Sequence, residues 1–208
     1  MTDQPFTSAP PRTVFIYVNG ILTFPGESDN WNGKAVTWTH LRTPHRAEKV
    51  EYYVGPVSRA LGQKKRAEKL TKTLRYYEGW EIILAGHSNG CDVILDALRA
   101  ASWPRLQALH LVSGACDADF DRNGLNVAMG GGRIGRVSVW VAGKDGALKL
   151  ANTSIGRLLG YGPDGPLGMM GPLHALEPVA IVREPAFGHS DWWAPENLDE
   201  SLAIITDL

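Results

Sequence analysis

Six short runs rich in β-branched and apolar residues punctuate this chain: Thr13 to Val18, Lys49 to Val54, Glu81 to Ala85, Leu106 to Val112, Arg136 to Ala142 and Pro178 to Arg183. Several are almost continuously apolar rather than alternating, which suits strands covered on both faces, as in a parallel sheet. Between them stand helical patterns at Gly62 to Tyr77, Gly90 to Ala101 and Pro195 to Leu208, the last with Leu198, Leu202 and Ile205 on one side. Strand and helix in alternation predict an α/β fold, a mostly parallel central sheet of about six strands with helices on both faces.

Two stretches do not follow this rhythm. Ile21 to Glu48 carries Pro25, Gly26, Gly33 and Pro44 and leaves room for one short helix near Lys34 to Leu41, while Gly146 to Glu177 is rich in Gly and Pro. Irregular segments of that length in a compact domain are usually functional or mobile. With 208 residues, 44% hydrophobic and 21% charged, the chain is of ordinary globular make-up and suits one domain. That domain is read over residues 13–208, after a polar, proline-bearing and flexible segment over 1–12.

The formal charge of -1 argues against nucleic acid as a partner, because phosphate binding needs a basic surface. Lys64, Lys65, Arg66, Lys69 and Lys72 form a local basic stripe, but Glu68 interrupts it and Leu61, Leu70, Leu74 and Tyr77 supply the opposite side. The stripe reads as the solvated face of a helix, with Glu68 and Lys72 paired four residues apart. No secretory signal is read in Met1 to Arg12, and no apolar run approaches a membrane span. The expectation is a cytoplasmic protein without stable membrane insertion. Cys91 and Cys116 do not make a disulfide scaffold and are expected reduced; no Cys or His pair has metal-ligand spacing.

The pentapeptide Gly86-His87-Ser88-Asn89-Gly90 follows the apolar run Ile82-Ile83-Leu84-Ala85 and opens a helical pattern. Gly-x-Ser-x-Gly is a weak signal alone, but a strand, sharp turn and helix are what a nucleophile elbow needs. Small residues two before and two after the serine let the turn tighten and expose the hydroxyl. A serine hydroxyl attacks only when a base takes its proton. His189, in the loop after the last predicted strand, is the best placed of the six histidines. His87 lies inside the elbow, where its side chain is expected to point away from the nucleophile, and His110 alternates with leucines in a strand. The acid that would orient His189 is read as Asp145, just past the strand ending at Ala142, with Asp117, Asp119 and Asp121 as competitors. Oxyanion donors are expected from the N–H of Asn89 and from the loop Asn19-Gly20-Ile21, with Gly20 permitting the bend and Ile21 donating.

Assembled in this way, the chain resembles the α/β-hydrolase superfamily over nearly its whole length. It is similar to a compact member that enters at the third strand of the family's sheet and lacks a large cap domain, since only Ser113 to Gly135 lies where a cap is often inserted. The resemblance implies Ser88 as nucleophile, His189 as base and Asp145 as acid, with no cofactor. Asn19-Gly20 departs from the family's commoner His-Gly. The expected activity is hydrolysis of a carboxylic ester, a small-molecule acyl substrate, through an acyl-enzyme. Alternatives on the same residues are a thioesterase, an amidase, an acyltransferase, or a binding protein with a vestigial site. Asn19, Trp31 and Trp192 are expected to line the substrate pocket, with Trp38 and Trp193 as further candidates.

Overall fold

The computed structural model describes residues 12–20, 30–52, 62–100, 103–153 and 163–207. Among them are six strands, β1 (Thr13–Val18), β2 (Arg46–Val50), β3 (Glu81–His87), β4 (Leu106–Val112), β5 (Ile134–Ala142) and β6 (Ala180–Glu184). They form one sheet in the order β2-β1-β3-β4-β5-β6, with every neighbouring pair parallel. The helices are α1 (Trp31–Arg42), α2 (Gln63–Tyr76), α3 (Asn89–Arg99), α4 (Leu125–Gly130), α5 (Gly146–Ala151), α6 (Leu167–Met170) and α7 (Pro195–Thr206), with a 3-10 turn at Asp191–Trp193. Among the described residues no large cap domain interrupts this order.

Side chains alternate across each strand, and here both sets are apolar, so the sheet carries a core on each face. Val14, Ile16, Ile82, Leu84, Leu109 and Leu111 pack on one face against Leu70 and Leu74 of α2 and Val93 and Ile94 of α3. Phe15, Tyr17, Ile83, Ala85, Ala108 and Trp140 pack on the other against Trp31 and Ala35 of α1 and Leu202 and Ile205 of α7. Trp38 of α1 donates from Nε1 to Asp199 Oδ1 of α7 at 2.7 Å and ties the two helices of that face together.

Four sequence expectations need adjustment. Strand β2 starts at Arg46 rather than Lys49 and leaves Arg46 and Lys49 exposed while Ala47 and Val50 are buried, because it is an edge strand paired only with β1. Its expected continuation at Tyr53 and Val54 lies outside the described residues, as do residues 1–11 of the expected N-terminal segment. Helix α1 has 12 residues, longer than Lys34 to Leu41. The Gly146 to Glu177 stretch contains α5 and α6, and residues 154–162 lie outside the described set. On α2, Leu70 and Leu74 are buried and Lys64, Lys65 and Lys72 exposed, as an amphipathic helix requires. Glu68 and Lys72 form no ion pair among the described residues; Lys69 instead donates to the Glu51 carbonyl at 2.7 Å.

No helix among the described residues is long and apolar enough to cross a membrane. Cys91 and Cys116 are buried and not joined in a disulfide.

Candidate active site

At the end of β3 the chain turns through Ser88 with φ 56° and ψ -123°, a conformation L-residues rarely adopt, and enters α3 at Asn89. Such a conformation costs about 1–3 kcal/mol and persists only where its surroundings hold it. The supports are specific. Ser88 N donates to Val112 O at 3.0 Å, and Ser88 O accepts from Cys91 N and Ala115 N, each at 3.1 Å. Gly86 and Gly90 make the turn possible: a Cβ on Gly86 would lie 2.6 Å from Ile94 Cδ1, and one on Gly90 would lie 2.5 Å from Val18 O. The Ser88 side chain therefore sits at the head of α3, where unpaired N–H groups and the helix dipole favour negative charge.

Asp145 follows β5 and is fully buried. Its Oδ1 accepts from Leu148 N at 2.8 Å, capping α5, and its Oδ2 lies 2.7 Å from His189 Nδ1. A carboxylate only accepts, so His189 carries its proton on Nδ1 and presents Nε2 as a base. Backbone bonds align the two loops, with Gly143 N donating to Glu184 O at 3.0 Å and Lys144 N to Phe187 O at 2.8 Å. A Cβ on Gly143 would stand 2.5 Å from Pro185 O, so the loops can approach this closely only with glycine there. The competing carboxylates go elsewhere: Asp117, Asp119 and Asp164 surround the Arg122 guanidinium, and Asp121 Oδ1 accepts from Asn126 Nδ2 at 2.6 Å.

His87 joins the elbow to the histidine loop. Its ring centroid lies 4.8 Å from that of His189, and its Nε2 lies 2.9 Å from His189 O. A carbonyl accepts, so Nε2 of His87 is the donor. Trp31 and Trp193 stack on each other at 4.1 Å and each meets His87 edge-on. Burial pushes the His87 imidazole down to about 3, with the neighbouring His189 adding to the effect, so it is neutral at ordinary pH. The sequence alone assigns His87 nothing beyond a side chain pointing away from the nucleophile. Its place beside the serine is the one signal available there, and its partner lies 102 residues away.

The loop after β1 lies directly on the elbow, since a Cβ on Gly20 would stand 3.1 Å from Ser88 Cβ. Ile21, the expected second donor, lies outside the described residues. Three expected pocket residues take other places. Asn19 is fully buried, and its Nδ2 donates to Tyr52 O at 3.1 Å, bracing the end of the edge strand. Trp192 is 2% exposed, donates from Nε1 to Ser113 Oγ at 3.0 Å and meets Trp140 edge-on. Trp31 is likewise buried against Trp193. A large indole on this face gains more by filling the core than by lining an opening.

Neither a family model nor a curated protein matches the sequence. The folded chain is nevertheless similar to solved structures over almost its whole length. A protein from Agrobacterium vitis S4 aligns with a TM-score of 0.59 at 14% identity, covering 93% of this chain and 87% of that one. Mouse alpha/beta hydrolase domain-containing protein 10 aligns with a TM-score of 0.56 at 12% identity, covering 93% and 88%. Zea mays acyl-protein thioesterase 2 aligns with a TM-score of 0.52 at 13% identity, covering 95% and 94%. At these identities the likeness is one of fold. The chain has the α/β-hydrolase fold.

Proposed function

We propose that this chain is a serine hydrolase that cleaves a carboxylic ester through an acyl-enzyme. The observation that carries the reading is Ser88 held at φ 56° on the β3–α3 turn, with His189, bonded to Asp145, against the ring of the preceding residue, His87. A strained serine at a helix head is a costly arrangement for a simple connection, and strain of this kind clusters at functional sites.

In this reading Ser88 Oγ attacks the ester carbonyl carbon while His189 Nε2 takes its proton. The resulting oxyanion is held by the N–H of Asn89 and by the loop at Gly20 and Ile21. Collapse expels the alkoxide, which leaves as the alcohol with the proton returned by His189. Water, activated by the same nitrogen, then releases the acid and restores Ser88. Asp145 keeps the imidazole in the tautomer that presents Nε2 and stabilises the imidazolium. The same steps cleave a thioester, and one protein of like fold is named a thioesterase, so thioesters belong in the substrate panel.

A fluorophosphonate labels only an activated serine. Intact mass should reveal one adduct on the protein and none on Ser88→Ala, and an ester and thioester series graded by acyl length then defines the substrate. A folded protein that takes no adduct would count against the proposal.

A further inference from the structure

We infer that Tyr52 is a positioning residue for the oxyanion pocket, its hydroxyl holding the Asn19 carbonyl of the loop after β1 where the head of α3 packs on it. The inference rests on the hydrolase reading of Ser88. Tyr52 lies two residues beyond β2, is buried, and takes no part in the chemistry described above. Its hydroxyl donates to Asn19 O at 2.6 Å, and Asn19 Nδ2 returns a bond to Tyr52 O at 3.1 Å. Asn19 N also donates to Val50 O at 3.4 Å. The Asn19 main chain and side chain are thus both fastened to the end of the edge strand.

The Asn19 carbonyl in turn lies against the other side of the pocket. Burial holds the Tyr52 phenol well above its ordinary value. The phenol therefore keeps its proton and remains a donor. Gly90 rests on the very carbonyl that Tyr52 grips, since a Cβ there would stand 2.6 Å from Asn19 O. Arg66 covers the Tyr52 ring, its guanidinium carbon 5.7 Å from the centroid, and limits the ring's freedom to swing away.

Oxyanion donors act through preorganisation, so their separation must be set before substrate arrives. One donor belongs to Asn89 and the other to the loop beginning at Asn19 and Gly20. Tyr52 grips the carbonyl against which the head of α3 rests, and so sets one carrier against the other.

The test is Tyr52→Phe, which deletes one oxygen and leaves the ring in place. Its kcat on the best ester should fall about 10–100-fold with KM changed by less than about threefold. Affinity for a trifluoromethyl ketone of the same acyl chain, which forms a tetrahedral adduct on serine, should fall in step with kcat/KM. Affinity for the corresponding unreactive amide should stay near the parent's. A purely structural role would lower the melting temperature without separating ketone from amide. If Tyr52→Phe does not fold, Asn19→Ala, which removes the return bond to Tyr52 O and loosens the same loop, is read by the same ratio. Equal kcat and ketone affinity in folded Tyr52→Phe and parent would overturn the inference alone. A parent that neither reacts with fluorophosphonate nor turns over any ester would remove the hydrolase reading first, and this inference with it.

Discussion

His110 is a buried imidazole whose replacement should stabilise the protein. It stands in β4 between Leu109 and Leu111, meets Trp140 edge-on with ring centroids 6.2 Å apart, and has no hydrogen-bond partner at either ring nitrogen among the described residues. An unsatisfied buried polar group costs about 1–3 kcal/mol, and His110→Leu removes both at nearly constant volume, with repacking offsetting about 1 kcal/mol. The variant should therefore be about 1–2 kcal/mol more stable at pH 7. Acid widens the gap. Burial pushes His110 down to about 3 in the folded chain, against 6.5 for a free imidazole. Between those values the unfolded chain holds the extra proton, so stability falls as the pH drops, by about 2 kcal/mol from pH 7 to pH 5 for this one group. His87 is depressed to about 3 as well and contributes a parallel loss, so His110→Leu should remove roughly half of the acid slope from these two groups. Urea unfolding at pH 7 and pH 5, read by tryptophan fluorescence, measures both quantities. A variant less stable than the parent at pH 7 with an unchanged acid slope would refute the reasoning, and would mean that the imidazole is satisfied in solution.

Two further outcomes follow from the geometry of the site. Asp145→Asn keeps an acceptor for Leu148 N but turns an amide towards His189, favouring the wrong tautomer; kcat on an ester should fall by roughly 10⁴ with the melting temperature little changed, and a loss under tenfold would remove Asp145 from its proposed role. Gly90→Ala places a methyl 2.5 Å from Val18 O and 2.6 Å from Asn19 O, both backbone atoms that cannot swing aside. It should cost about 1–3 kcal/mol in denaturant unfolding and also lower kcat, and a variant matching the parent in both would show that the helix head is freer than these contacts imply.

The central strands are legible because their burial is written locally. β1, β3, β4 and β5 are apolar on both sides whatever the rest of the chain does, and their parallel order follows from the helices between them. The sequence pattern starts β2 three residues late because Arg46-Ala47-Glu48 is the alternation of an edge, where one face meets water, and an edge is a property of the whole sheet. The pairing of His189 with Asp145 and the turn at Ser88 are legible because each follows directly on a strand or its loop. Tyr52 and the bond from His87 are not. Each depends on a partner brought in by tertiary packing, 33 residues away for Tyr52 and 102 for His87. The tryptophans near the site along the chain are buried in the second face of the sheet, a placement that proximity in sequence does not reveal.

The parallel sheet explains how residues so far apart in sequence converge, and it also sets a problem that His87 resolves. Because all six strands point the same way, the segments carrying Asn19, Ser88, Asp145 and His189 leave the sheet at one edge. The helix that follows Ser88, however, packs on one face, whereas the 3-10 turn that follows His189 buries Trp192 and Trp193 in the other. Nothing in either core alone fixes serine against histidine. His87 ends β3 with its side chain on the second face, one residue before Ser88, and its N–H grips the His189 carbonyl while Trp31 and Trp193 hold its ring. A charged link would loosen as it titrated; this one is neutral well below pH 5, since burial brings it to about 3. Above that value the link carries no charge, so titration of His87 does not alter it.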